Sequence, residues 1–257
     1  DEFSMYNKNS TVSKINRGEK PVLSEMFMEV YNLAQTVNKE SEGAFDITVA
    51  PLVNAWGFGF KTRHMPDKHK VDSILAFIGN DKFKVVNEGK QLVPKKSDAR
   101  TMLDFSAIAK GYGSDVVARL LRSHDVKNFM VEIGGEIVTS GNSEKRLPWK
   151  IGVTKPVDDS ISVDGELQTV LNLTDKAMAT SGNYRKFYYK NGKKYAHTID
   201  PKTGKPVQHN ILSATVIAKD CATADAYATA FMVLGLEKTK RVLEKHPELM
   251  AYLIYSG

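Results

Sequence analysis

The sequence predicts an α+β fold: a two-lobed domain of helices and mixed sheet rather than a uniform doubly wound sheet. Three observations carry this. Helix and strand periodicities alternate through the first half of the sequence, hairpins dominate the second half, and no Pro-, Gly- or charge-rich linker divides the 257 residues. A single domain over residues 1–257 is therefore expected. With 42% hydrophobic residues, the chain is able to bury a large core.

Charge narrows the function classes. The 36 basic and 30 acidic residues give a formal charge of +6, which suits an anionic ligand, but they are interspersed rather than blocked. Runs such as Lys193-Lys194 and Lys238 to Arg241 read as solvated faces, and no nucleic-acid partner is expected. No window has the apolar length needed to cross a bilayer. The single cysteine, Cys221, permits no intrachain disulfide and reads as a small buried hydrophobe. The opening Asp1-Glu2-Phe3-Ser4, without an initiator methionine or signal peptide, suggests a processed or trimmed chain.

In chain order, Phe3 to Asn16 is polar and turn-rich, and includes Tyr6, an aromatic whose commoner fate is packing. From Ser24 to Glu40, Phe27, Val30, Tyr31, Ala34 and Val37 recur at helical spacing behind a Ser24 cap, and Gly43 closes the helix. Ala44 to Val49 alternates as a strand, and Pro51 opens a short helix carrying Leu52, Val53 and Trp56. Asp46 stands between apolar neighbours and needs a partner, which a backbone amide would satisfy. Val71 to Ile78 reads as a helix ended by Gly79. Phe83 to Asn87 and Gln91 to Lys95 read as a hairpin around Glu88-Gly89.

The stretch Leu103 to Asp115 concentrates a carboxylate, a lysine, small residues and two glycines at a predicted strand-to-helix junction, a place where polar groups lie close to phosphate. Thr101 to Phe105 alternates like a short buried strand, and Ser106 is placed to cap the helix after it. Val116, Val117, Leu120 and Leu121 supply the apolar stripe of that helix. Ala107, Ala109 and Gly111 leave room for something to lie against its backbone. Gly111-Tyr112-Gly113 begins like a dinucleotide fingerprint but lacks the third glycine and falls inside the helical pattern. Lys110-Gly111 likewise lacks the upstream glycine and following hydroxyl of a P-loop.

Beyond this junction, Phe129 to Ile133 is a strand stopping at Gly134-Gly135, a pair that permits a left-handed turn or close ligand approach. Trp149 to Thr154 and Gln168 to Leu173 are strands joined by a polar loop. Phe187 to Tyr189 and Tyr195 to Ile199 form a hairpin across Asn191-Gly192, with His197 near its end and a tight turn at Asp200 to Gly204. Leu212 to Ala218 is a strand, Ala222 to Leu234 a helix of small residues ended by Gly235. Leu236 to Lys245 and Met250 to Tyr255 complete the chain. Asp225 and Thr229, four apart, share a helical face, as a capping or surface pair or as two arms reaching one ligand. The echo of Thr139-Ser140-Gly141-Asn142 in Thr180-Ser181-Gly182-Asn183 reads as chance recurrence of turn formers rather than duplication.

An ordered set of short motifs spans nearly the whole chain. It runs from Ser4-Met5-Tyr6-Asn7 with Ser10 and Ile15-Asn16, through Gly43-Ala44-Phe45-Asp46-Ile47-Thr48, Pro51-Leu52-Val53 and Trp56-Gly57-Phe58-Gly59. It continues with Leu103-Asp104, Ala107-Ile108-Ala109-Lys110-Gly111, Gly134-Gly135-Glu136, Ala179-Thr180-Ser181-Gly182, His197-Thr198-Ile199-Asp200-Pro201 and Ala224-Asp225-Ala226 with Thr229. In order and spacing the set resembles the ApbE family, the FAD:protein FMN transferases.

The resemblance implies an ApbE-like two-lobed fold and an opening strand and helix that this sequence lacks. It implies Mg²⁺-dependent transfer of FMN from FAD to a threonine hydroxyl of an acceptor protein, through a phosphoester and with release of AMP. It places Tyr6, Ala44, Phe45, Asp46, Asp104, Lys110 and Ile199 against the flavin nucleotide, with Lys110 near the pyrophosphate. Asp225, Thr229 and the Ala107 carbonyl would hold the metal. Catalysis would rest on His197, as acceptor of the hydroxyl proton, and on Asp225. The implied partner is a flavin-carrier subunit of a membrane redox complex, met on the periplasmic side of a bacterial inner membrane by an exported, lipid-anchored form. The same site delivering water would give an FAD pyrophosphatase, and a flavin carrier without chemistry is the further alternative.

Overall fold

The computed structural model describes residues 2–59, 65–156, 166–183, 187–190 and 192–256. After the short helix α1 (Thr11–Asn16), α2 (Glu25–Glu40) begins where the Ser24 hydroxyl accepts the Phe27 amide at 3.0 Å. It buries the face read from the sequence, Phe27 to Val37. The helices α3 (Ala50–Ala55) and α4 (Lys68–Leu75) follow, then the hairpin β1 (Phe83–Glu88) and β2 (Gln91–Lys96).

The centre of the molecule is an antiparallel sheet in the order β13-β12-β7-β4-β3. Its strands are β3 (Phe129–Ile133), β4 (Glu136–Ser140), β7 (Ala177–Gly182), β12 (Ile211–Ala218) and β13 (Met250–Tyr255). The two-residue period divides the sheet cleanly. Val131, Val138 and Ala177 point to the helical side, where they meet Ala118 of α5 (Ala109–Ser123) and Cys221 of α6 (Cys221–Leu234). Ile137, Met178 and Ile217 point the other way, onto Ile151 and Leu173 of the hairpin β5 (Trp149–Thr154) and β6 (Leu167–Leu173). On the helical side, α2 and α6 close the main core around Phe27, Phe105 and Phe231.

A second apolar cluster, Leu52, Trp56, Val71, Ile74, Phe77, Ile78 and Ile199, joins α3 and α4 to β10 (Ile199–Asp200). Trp56 ties this lobe together by donating its Nε1 proton to the Gly204 carbonyl at 2.7 Å. The hairpin β8 (Phe187–Lys190) and β9 (Lys193–Ala196) stacks Tyr188 and Tyr195 beside it, and β10 pairs with β11 (Lys205–Pro206). Between β12 and β13, α6 ends at Gly235 with φ 75° and α7 (Leu236–Lys245) follows.

Four local expectations fail for physical reasons. Ala44 to Val49 is a set of turns and not a strand, because Asn38 donates to the Phe45 carbonyl and Asp46 accepts the Thr48 amide, so side chains replace a sheet partner. Thr101 to Phe105 alternates in burial as read, with Thr101, Leu103 and Phe105 fully buried, but it is not a strand either. The Asn16 carboxamide instead pairs with both the amide and the carbonyl of Leu103, at 2.7 and 3.0 Å. Ser106 does not cap α5, which begins at Ile108 with no side-chain cap from its own chain segment. Of the expected apolar stripe of α5, Val116 and Leu121 pack against the core while Val117 and Leu120 are exposed, and the buried face is Gly111, Tyr112, Ser114, Asp115 and Ala118. The two Thr-Ser-Gly-Asn stretches also differ: Gly141 sits at φ 56° just past β4, whereas Gly182 lies within β7. Asn191 of the expected turn and most of the polar loop between β5 and β6 lie outside the described residues.

Candidate active site

A cavity of about 690 Å³ opens between the sheet, α5, α6 and the second lobe. The loop after α2 brings Ala44, Phe45 and Asp46 to it, and the irregular segment before α5 brings Asp104 and Ala107. Lys110 comes from α5, His197 and Ile199 from the segment between β9 and β11, and Asp225 and Thr229 from one face of α6. Thus ten of the eleven positions marked in the sequence meet in one place. Tyr6 does not line the cavity and is 83% exposed.

One wall of the cavity is built by two helices that cap each other. Asp115 of α5 accepts the amides of Cys221 and Ala222, both at 2.8 Å, satisfying the first N–H groups of α6 beside its own cap, Asp220. In return Asp225 of α6 accepts the Gly111 amide, in the first turn of α5, at 3.1 Å. This exchange requires glycine at 111. A Cβ there would stand 2.3 Å from the Cys221 carbonyl oxygen and 2.9 Å from the Asp225 Cβ, so the space noted in the sequence is filled by α6. Cys221 itself is fully buried, and burial pushes its thiol pKa up, as expected of an inert thiol.

Asp225 is only 6% exposed. Burial raises its pKa to about 7, the negative charge of Glu136 adds to the rise, and Lys110 and the Gly111 amide oppose it. Glu136 is itself 2% exposed at the start of β4 and pairs with the Lys110 ammonium at 2.5 Å. The turn at Gly134 and Gly135, with φ of 64° and 99°, aims Glu136 at that lysine. Two carboxylates and one ammonium therefore share the wall.

The opposite wall is held by small hydrogen-bond motifs. Asp46 accepts both the Thr48 amide and its hydroxyl, at 2.7 and 2.6 Å, and burial pushes its carboxyl pKa up. Thr48 in turn accepts the Gly79 amide at 2.7 Å. Asp104 accepts the Ser106 amide through its side chain, while its own amide donates to the Ile47 carbonyl, joining the two loops that face the cavity. His197 stands edge-on to Phe58 at 6.5 Å, and its neighbour Thr198 is fixed by a hydrogen bond to Asn183.

Sequence reasoning gave no role to Glu136 or Asp115. Glu136 had a signal, a charge placed directly after two glycines and before the apolar Ile137-Val138. Asp115 had a fainter one, an acid on the same helical face as Gly111 and Ala118.

The α+β chain that carries this cavity shares its fold with a class of solved proteins, the flavin transferases. The flavin transferase ApbE of Vibrio cholerae matches with a TM-score of 0.86 at 36% identity, over 100% of this chain and 80% of that one. The ApbE protein of Thermotoga maritima matches with a TM-score of 0.85 at 28% identity, over 99% and 81%. The chain belongs to the ApbE family, whose sequence profile matches residues 1–254. It is 39% identical to the FAD:protein FMN transferase of Haemophilus influenzae, over 98% of this chain and 74% of that protein. It is 40% identical to that of Vibrio cholerae, over 97% and 75%.

Proposed function

We propose that this protein transfers FMN from FAD to a hydroxyl of an acceptor protein, leaving a phosphoester and releasing AMP. The observation that carries the reading is the convergence of Lys110, His197, Asp225 and Thr229 on one cavity of about 690 Å³, in a chain of this family. The acceptor's threonine oxygen forms a bond to the phosphorus nearer the flavin. The anhydride P–O bond breaks, and its electron pair leaves on AMP. The hydroxyl proton passes to His197, a base on the cavity wall. Lys110 contributes fixed positive charge beside the pyrophosphate, and the apolar sides of Phe45 and Ile199 offer surface to the ring system.

The donor set also fits a hard divalent cation. Asp225 supplies a carboxylate, Thr229 a hydroxyl and Ala107 a backbone carbonyl, all oxygens. A carboxylate buried beside a second one gains from a positive charge at that point. Mg²⁺ held there would neutralise charge that develops on the phosphates. The acceptor suggested by the family resemblance is a flavin-carrier subunit of a membrane redox complex.

The test is mass spectrometry of a flavin-carrier subunit incubated with this protein, FAD and Mg²⁺. The subunit should gain FMN with an equal amount of AMP released, and neither FMN as donor nor an acceptor with threonine changed to alanine should give the product. Free FMN and AMP beside an unmodified subunit would show a pyrophosphatase instead.

A further inference from the structure

We propose that Glu136 is a positioning residue whose task is to hold the Lys110 ammonium away from Asp225, so that the Asp225 carboxylate stays available to a cation. The inference rests on the cation reading above and deepens it.

The geometry creates the problem that Glu136 answers. Gly111, next in the chain to Lys110, donates its amide to Asp225 at 3.1 Å, so the backbone of Lys110 stands one residue from that carboxylate. Its side chain, with four methylenes and half exposed, is long enough to fold back onto Asp225. In a buried setting an ammonium and a carboxylate that near each other pair strongly, and a lysine seated there would repel a divalent ion. Instead the ammonium bonds to Glu136, whose carboxylate is 3% exposed and fixed on the far side of the Gly134-Gly135 turn. Ser114, one turn along α5 from Lys110, donates its hydroxyl to the Glu136 carbonyl at 2.9 Å, so strand and helix are locked at the same point.

The three groups also set a charge count. With both carboxylates ionised, as a bound cation requires, Asp225, Glu136 and Lys110 together carry one net negative charge. Removing the Glu136 charge brings the wall to neutrality and frees Lys110 to move. Removing Lys110 as well restores the net negative charge and leaves nothing to occupy Asp225.

Mn²⁺ alone, titrated into the protein without FAD and followed by electron paramagnetic resonance, reads this directly. Glu136→Gln keeps the shape of the side chain and one acceptor oxygen while removing its charge, and it should weaken Mn²⁺ binding on the order of tenfold. Adding Lys110→Met to that variant should return the affinity to within about threefold of wild type, and Lys110→Met alone should bind at least as tightly as wild type. Equal affinity in Glu136→Gln and wild type would overturn the inference while leaving the cation reading intact. So would a double variant as weak as Glu136→Gln, which would make Glu136 a direct ligand. If wild type itself took up no Mn²⁺, the cation reading would fall and this inference with it.

Discussion

Asp115 and Asp225 sit on neighbouring helices and each closes the start of the other's helix. Asp115 accepts the first amides of α6, and Asp225 accepts an amide from the first turn of α5. Neither helix can rotate or slide without breaking a buried, charge-assisted hydrogen bond. The carboxylate proposed to face the cation is thereby fixed by the same contact that fixes Lys110.

Substitutions at Asp225 separate its two roles. Asp225→Asn retains an oxygen for the Gly111 amide, so its melting temperature should stay near wild type while FMN transfer is lost. Asp225→Ala should lose transfer and also about 1–3 kcal/mol of stability, because the Gly111 amide is left buried without an acceptor. Flavin binding, followed by fluorescence, should survive in both. Full activity in a folded Asp225→Asn protein would remove this residue from the cation site.

The pH response isolates Asp115. Burial raises its carboxyl pKa from an ordinary 3.8 to about 6, against the pull of two amides. Between those values the folded protein keeps a proton that the unfolded chain releases, so this group's contribution to stability is full below about 4 and is lost as pH rises through 6. Asp115→Asn removes the titration. Across that window its melting temperature should therefore fall less, or rise more, with pH than that of wild type, and parallel curves would refute the assignment.

Lys110→Ala should weaken FAD more than riboflavin, since the proposed contact is with phosphate and riboflavin has none. Fluorescence titration of the two ligands measures the difference. Equal losses would mean that Lys110 acts through packing against Glu136 and Gly134.

For His197 the expectation concerns rate. His197→Ala should lower turnover by about 10²–10⁴-fold, the range for loss of a general base, while FAD affinity changes by no more than a few-fold. A large loss of affinity with little loss of rate would make His197 a binding group.

Much of this architecture is legible in the sequence because periodicity and turn chemistry report it directly. The Ser24 cap, the Glu88-Gly89 hairpin and the Gly235 helix end all form where local chemistry places them. Failures occur where a side chain from far away substitutes for backbone pairing. Leu103 and Phe105 alternate in burial as a strand would, but Asn16 takes the place of the neighbouring strand. The apolar stripe of α5 misleads in part for a related reason: Val116 and Leu121 do pack against the core, but Val117 and Leu120 are exposed, and the buried face includes Gly111, Ser114 and Asp115, small or polar residues whose burial depends on the close approach of α6. The cavity's individual residues were readable as motifs. The Glu136–Lys110 pair was not, since it depends on how a strand and a helix meet.

The Asn16 clamp on Leu103 also bears on the order in which the molecule assembles. Its two hydrogen bonds join residues 87 apart in sequence, and they set the backbone that leads into Asp104 and Ala107. Closing so long a loop costs entropy before any contact repays it, so this wall of the cavity is expected to form late, after the helices and hairpins have settled. A chain truncated beyond Asn16 would retain every residue that lines the cavity, yet it would leave a buried amide and carbonyl at Leu103 unpaired. The short helix α1, which contributes no side chain to the cavity lining, thus helps to hold in place the segment that brings Asp104 and Ala107 to the cavity.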